Sequence, residues 1–425
     1  MTSELGAEAP LTAWTGLRVL GPAVDGTRSR VFRGELRGRA VAIRRSRRSP
    51  ASLEWELDLM RVLPEHSFTV PEPHPADDGR LHVDGWCVQS WIEGRPPTTS
   101  SDWDAVAREL WRLHFLLRDH PQRPGCVAVT QLGHRQVSGD ADLAATPPHV
   151  VERCLVRFET YLESQLSVVH GDPGPDNIRV LDDGSVAFLD WDEARRDVPD
   201  LDFADLGVAV LPGFRRTRAV AAAHAWEALN GWQIEPDYAV GRFARLGDAE
   251  LVATRPVLTD GTITLRPRTP DDVAASVAGE DDQIVTWLTG GVATPARHRE
   301  HIDHTDRVWA VGGVRREFGV YVTTDGGSST LIGTAGLNYA DLDLGLDEVN
   351  VSYAIYPDWR RRGHATRALA LIVDYALELE PNAAPTLKID PRNAASAGVA
   401  AAAGFRRVRS MRRGDVEYEI HRSDG

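Results

Sequence analysis
The chain has 425 residues, more than one hydrophobic core ordinarily serves, and its 42% apolar and 26% charged content is that of a folded protein. A formal charge of −14 argues against a general nucleic-acid binder, which needs a basic footprint, and is compatible with a cationic small-molecule substrate. No apolar run reaches the roughly 20 residues that span a bilayer, so no membrane partner is expected.

The opening residues, MTSELGAEAP, are partly acidic and lack the apolar segment of a secretory signal. Cys87, Cys126 and Cys154 are odd in number and lack metal-ligand spacing, which predicts reduced thiols and a cytoplasmic setting. The basic residues are almost all arginine, with Lys388 the single lysine.

Residues from about 11 to 95 read as strand-rich, with LRVLGPAVDG, SRVFRGELRG and RAVAIRRS separated by glycine-containing turns. Within them SPASLEWELDLMRVLPEH predicts a helix, because Leu53, Leu57, Met60 and Leu63 recur at helical spacing. From SDWDAVARELWRLHFLLRDH to about residue 250 the pattern is mainly helical. It is interrupted by VVHGDPGPDNIRVLDDGSVAFLDWDEA, which places acidic and amide groups beside short apolar runs.

That interruption has the spacing phosphoryl transfer requires. A hydroxyl must be held in line by an acceptor, and oxygen ligands must hold Mg2+ against nucleotide phosphates. Asp172 would accept the proton, while Asn177 and Asp190 would be the metal ligands, Asp190 being returned by the hairpin IRVLDDGSVAFLD. Gly171 permits a tight turn, and Pro173 and Pro175 stiffen it.

With these residues the segment 11–250 resembles the aminoglycoside phosphotransferase and choline-kinase-like superfamily, a branch of the protein-kinase-like fold. The resemblance implies an N-lobe over about 11–95, a C-lobe over about 96–250 and the use of ATP or GTP. It implies a structural role for Asp202 in DLDFADLG and for His170 in organising the loop. The family's phosphate-gripping lysine is replaced by Arg44, a planar fork rather than a compact ammonium. Its helix partner is Glu56, with Glu54 as the alternative. Gly21 and Gly26 form only a weak phosphate-loop signal. Asp176 and Asp192 read as turn residues.

Residues 251–260 read as a linker, after which helices and strands alternate. RVWAVGG, REFGVYVTT, STLIGTAGLNY and EVNVSYAIYP are predicted strands, and ATRALALIVDYALELE a helix. The turn before that helix carries Arg360, Arg361, Arg362, Gly363, His364, Ala365 and Thr366. Free N–H groups and a positive dipole end at a helix start suit a pyrophosphate.

This Arg-x-x-Gly-x-Ala turn, with Asn393, Ser396 and the Gly404-Phe405 ending of NAASAGVAAAAGF, makes residues 261–425 resemble the GNAT N-acetyltransferases. The resemblance implies acetyl-CoA, its pyrophosphate on the loop and its thioester beside Ala354 and Ile355. The family's late tyrosine acid is absent, so Ser396 is the substitute candidate, with a helix-start role as the alternative. Glu348 is a candidate base, with a solvated edge carboxylate as the alternative. The expected fold class is α+β in two domains: a bilobal kinase-like phosphotransferase followed by a GNAT α/β fold. The expected activity is modification of an amine-bearing small molecule by both chemistries; the rival is a peptide acetyltransferase with a degenerate kinase-like domain.

Overall fold
The computed structural model describes residues 11–25, 30–162, 164–246, 255–323 and 329–423. Gly26 and part of the expected linker lie outside them. The chain forms two compact units that do not follow chain order: residues 1–145 with 166–210, and residues 146–165 with 211–425.

The first unit begins with an antiparallel sheet. Its strands run Leu17–Asp25, Arg30–Leu36, Arg39–Arg45, Trp86–Ser90 and Pro73–His74 in spatial order. Alternation puts Phe32, Val41, Ile43, Trp86 and Val88 into one buried cluster with Trp14. Helix Pro50–Val62 starts at Ser49, whose hydroxyl accepts the N–H of Ser52, with proline at the first helical position. Leu53 and Leu57 bury against Cys87 of the sheet. That packing turns Glu56 inward toward the strand that carries Arg44.

Helix Ser100–Leu116 opens with a capping box between Thr99 and Asp102. Strand Ser167–Val169 pairs with Arg195–Asp197, and hairpin Ile178–Val180/Val186–Phe188 lies between them in sequence. All the strands flanking the acidic loop are short, so side-chain and loop hydrogen bonds must fix its position.

The second unit is built on an eight-stranded sheet. Its spatial order is Leu258–Thr259, Thr264–Arg266, Arg315–Thr323, Ser329–Asn338, Glu348–Ile355, Ala384–Ile389, Val416–Ser423 and Phe405–Arg413. Among the described residues one pair in this sheet is parallel, Glu348–Ile355 with Ala384–Ile389. Helix His364–Leu379 makes that crossover, as a parallel connection requires. Its buried residues, His364, Ala368, Leu369, Ile372, Tyr375 and Ala376, fall on one face.

RVWAVGG is not a strand. Residues 307–310 are the last turn of helix Pro295–Ala310, with Ile302, Val308 and Trp309 buried and Trp309 Nε1 donating to the Glu317 carbonyl. The short apolar run Val308–Val311 was compatible with a strand, and burial of Trp309 against Phe318 decided otherwise.

Helices Pro148–Phe158 and Gly213–Gly231 also belong to this unit. The Val314 N–H donates to the Thr160 carbonyl at 3.1 Å, and the Leu342 N–H to Gln165 at 2.8 Å. Phe214 donates its N–H to Glu380, Arg218 reaches the Gly312 carbonyl, and Arg316 stacks on the Phe214 ring.

Candidate active sites
In the first unit the loop after strand Ser167–Val169 is held from beneath by Asp202. Its carboxylate accepts the N–H of His170 at 2.8 Å and of Gly171 at 2.9 Å, and contacts His114 Nε2 at 2.8 Å. The His170 ring bonds the Leu189 carbonyl and packs on Trp191 and Phe188. Gly171 sits at φ 88, and a Cβ there would lie 2.4 Å from the Glu193 carbonyl oxygen, so no other residue fits the turn.

This frame brings Asp172 and Asn177 together: Asn177 Nδ2 donates to Asp172 Oδ2 at 2.9 Å and to its carbonyl at 3.0 Å. The Leu189 N–H donates to the Asn177 carbonyl at 2.8 Å, delivering the next residue, Asp190, beside Asn177. Asp190 adopts a left-handed φ of 50°, which turns it out of the hairpin; its side chain is 42% exposed.

Arg44 is buried between two carboxylates. It donates to Glu56 through Nη2 and to Asp190 Oδ1 through Nη1 at 2.9 Å. Glu56 is the partner, whereas Glu54 lies toward solvent near His82. The second Glu56 oxygen takes Arg123 Nη2 at 2.7 Å. Arg123 also donates to Ser52 and to the carbonyls of Trp191, Asp192 and Ala194. It thereby ties the helix of Glu56 to the loop after Asp190. Nothing in the sequence around Arg123 marks it for this role.

Asn177 and Asp190 offer a carboxamide and a carboxylate from neighbouring backbone positions, hard oxygen donors of the kind that Mg2+ takes. Arg44 takes one Asp190 oxygen, which leaves the other for a cation. A buried guanidinium at that carboxylate also weakens the field a divalent ion would feel there.

In the second unit strand Glu348–Ile355 runs into a turn, Pro357–Trp359, and then the helix His364–Leu379. Arg361 at φ 61 and Gly363 at φ 79 make the bend. The helix has no side-chain cap, so no side chain takes the first N–H groups around Gly363, His364, Ala365 and Thr366, an arrangement that suits an anion. Arg361 and Arg362 are exposed there. Arg360 is engaged elsewhere, gripping Asp281 with both terminal nitrogens, at 2.7 and 2.9 Å, and the Ile355 carbonyl at 2.8 Å.

Ala354 borders a cavity of about 380 Å3 that also reaches Ser352, Tyr353, Glu317, His301 and His298. The Tyr353 hydroxyl lies 3.0 Å from Ser396 Oγ, while Asn393 caps the Ser396 helix by accepting the Ser396 N–H at 3.0 Å. Burial raises the Tyr353 pKa, and the Ser396 contact opposes this in part. Sequence reasoning named Ser396 and passed over the tyrosine facing it.

Glu348 stands apart from this group. Its side chain is buried, receives Arg409 through both nitrogens at 2.6 and 2.5 Å, and accepts the Gly345 N–H at 2.8 Å. Burial alone would raise its pKa, but Arg409 and the Gly345 N–H override that and hold it below the usual carboxylate value. Neither the solvated edge nor the proton-accepting role describes these surroundings; the group is a buried ion-pair partner.

The family models match both halves. One described as "Phosphotransferase enzyme family" matches residues 20–243, over half of the chain, and one described as "Acetyltransferase (GNAT) domain" matches residues 262–406. The chain is similar in structure to an acetyltransferase (GNAT family) from Bacillus anthracis, at 16% identity and TM-score 0.32, over 39% of this chain and 96% of that one. It is likewise similar to RimL, the ribosomal L7/L12 alpha-N-protein acetyltransferase in complex with coenzyme A, at 15% identity and TM-score 0.34, over 39% and 97%. A third is the microcin C7 self immunity acetyltransferase MccE in complex with acetyl-CoA and AMP, at 11% identity and TM-score 0.33, over 39% and 93%. No curated protein matches the chain.

Proposed function
Because the chain belongs to the phosphotransferase enzyme family and carries a GNAT acetyltransferase domain behind it, we propose that it modifies one class of amine-bearing small molecules, antibiotics or metabolites, by both O-phosphorylation and N-acetylation. The observation that carries this is the meeting of Asp172 with Asn177 on a loop pinned by Asp202. In this reading Asp172 accepts the proton of the substrate hydroxyl, and Asn177 and Asp190 hold Mg2+, which would neutralise charge on the ATP or GTP phosphates. Arg44 holds the nucleotide side of the cleft in the family lysine's place.

For acetyl transfer, the backbone of residues 362–366 takes the pyrophosphate of acetyl-CoA, and the Ser396–Tyr353 pair protonates the leaving sulfur. The acidity of the chain favours a cationic acceptor. The test is a mass-spectrometric screen of amine-bearing antibiotics and polyamines with ATP or GTP, with acetyl-CoA, or with both. Mass gains separate phosphorylation from acetylation, and their absence with every compound would refute the reading.

Arg44 on Asp190 favours a second reading, a peptide N-acetyltransferase whose kinase-like unit only recognises substrate. Nucleotide binding without transfer, together with acetylation of peptide amines, would select it.

A further inference from the structure
The cavity beside Ala354 contains several polar groups, most of them committed. Glu317 is held by Arg268 and by His301, whose Nε2 lies 3.0 Å from one oxygen and 3.1 Å from the other. Burial raises the Glu317 pKa, but these two neighbours more than offset it and hold the carboxyl well below its ordinary range. A carboxylate so held is a poor proton acceptor, and His301 has spent Nε2 on it. Arg268, Arg297 and Arg315 are cations and accept nothing.

His298 differs. It lies one helical turn before His301 on helix Pro295–Ala310 and lines the same cavity. Its Nε2 is buried and has no hydrogen-bond partner among the described residues. The nearest carboxylate, Glu280, is 3.9 Å from Nε2, too far for a hydrogen bond but close enough to favour an imidazolium. Glu280 is itself fixed by the Ala293 N–H at 2.9 Å. An uncommitted buried ring nitrogen is costly unless something uses it.

We infer that His298 is the general base of the acetyltransferase site, taking a proton from the acceptor ammonium through Nε2. The inference rests on the acetyl-transfer reading above. In the step, the ammonium gives one proton to Nε2, and the freed lone pair forms the C–N bond at the thioester carbonyl. The C–S bond then breaks with its electron pair on sulfur, which takes a proton from the Ser396–Tyr353 hydroxyls. The nitrogen sheds its second proton to solvent, from which the hydroxyls are refilled, and His298 returns its proton to solvent.

The electrostatics agree. Burial lowers the His298 pKa; Glu280 and Glu317 raise it, while Arg268 and His301 lower it, and the net result is below the ordinary imidazole value. The ring is therefore neutral and able to accept a proton at neutral pH. As pH falls, activity should persist to below about 6.5 before protonation of His298 removes it.

The experiment follows thiol release from acetyl-CoA by the full-length protein, with spermidine and an alanyl-serine dipeptide as acceptor amines. In His298→Gln, kcat/KM is expected to drop about 100-fold and its acid limb to vanish, while acetyl-CoA affinity by calorimetry is unchanged. In His298→Ala, added imidazole should restore part of the rate. A His298→Gln protein that binds acetyl-CoA and keeps the wild-type rate and pH profile overturns the inference alone. Wild-type protein that acetylates neither these amines nor any compound of the screen overturns the acetyl-transfer reading and the inference with it.

Discussion

The carboxylate of Asp202 accepts the backbone N–H of His170 at 2.8 Å, so a residue 32 positions downstream fixes the first residue of the loop that carries Asp172 and Asn177. The second oxygen holds Gly171, and His114 completes the set. Burial raises the pKa of this carboxyl, and the hydrogen bond and charge of His114 with the loop N–H groups override it, leaving the value below that of a free aspartate. A folded-state pKa below the unfolded one means that the stabilisation is complete above the unfolded value, about 4. It is lost as pH falls through the folded value. Asp202→Asn should cost about 3 kcal/mol at pH 7, since it breaks a buried charge-assisted set. It should also flatten the acid side of the stability curve. Urea unfolding from pH 3 to 7 checks this; equal midpoints for variant and wild type at pH 7 would refute it.

Asp172→Ala removes the proposed proton acceptor without touching the Asp202 anchor. Phosphoryl transfer should fall by at least about 100-fold, and acetyl transfer by the same preparation should be unchanged. Parallel nucleotide and thiol assays read the two outcomes. Loss of both activities would contradict the assignment of separate sites.

If Asp190 holds Mg2+ as proposed, Arg44 competes with that cation for its carboxylate. An ammonium cannot span Glu56 and Asp190 as the fork does, so Arg44→Lys should free the carboxylate. Nucleotide affinity in the presence of Mg2+ should tighten by roughly three- to tenfold, about 1 kcal/mol, with little change in its absence. Calorimetry in both conditions decides, and an affinity that ignores both the substitution and the ion would show no competition at Asp190.

For Glu348→Gln the expectation is structural. The variant loses the two-pronged Arg409 pair and should be less stable by about 2 kcal/mol, less than a wholly buried pair because Arg409 is 40% exposed. Its kcat for acetyl transfer should stay within about twofold. A collapse of kcat with unaltered melting temperature would restore Glu348 as a base.

How much was legible depended on where each partner lies in the chain. Asp172, Asn177 and Asp190 fall within 19 residues, and a loop plus one hairpin suffices to bring them together. The turn from Arg360 to Thr366 is contiguous, so its glycine and arginines could be read together without the fold. Arg123, Arg409 and Tyr353 act across separations of 67, 61 and 43 residues, which only the finished fold brings together. Glu348 was misjudged for that reason: strand alternation fixes a face but does not reveal a guanidinium arriving from another strand. His298 and His301 were not singled out, although their i, i+3 spacing is a signal that could have marked one helix face. The error at RVWAVGG came from a short apolar run compatible with a strand or a helix.

The packing of Phe214, Arg218 and Thr160 against the acetyltransferase sheet bears on how the protein can be divided. Residues 146–165 and 211–243 lie within the phosphotransferase match, yet they form one compact body with the acetyltransferase. Breaking the chain between residues 243 and 262 would thus sever a peptide connection without separating that body. The halves, co-expressed, should find each other and copurify by fragment complementation, whereas residues 262–425 alone would expose the seats of Phe214 and Arg218 and aggregate. Either family could be reshuffled in evolution only by carrying along, or replacing, a piece of the other's foundation.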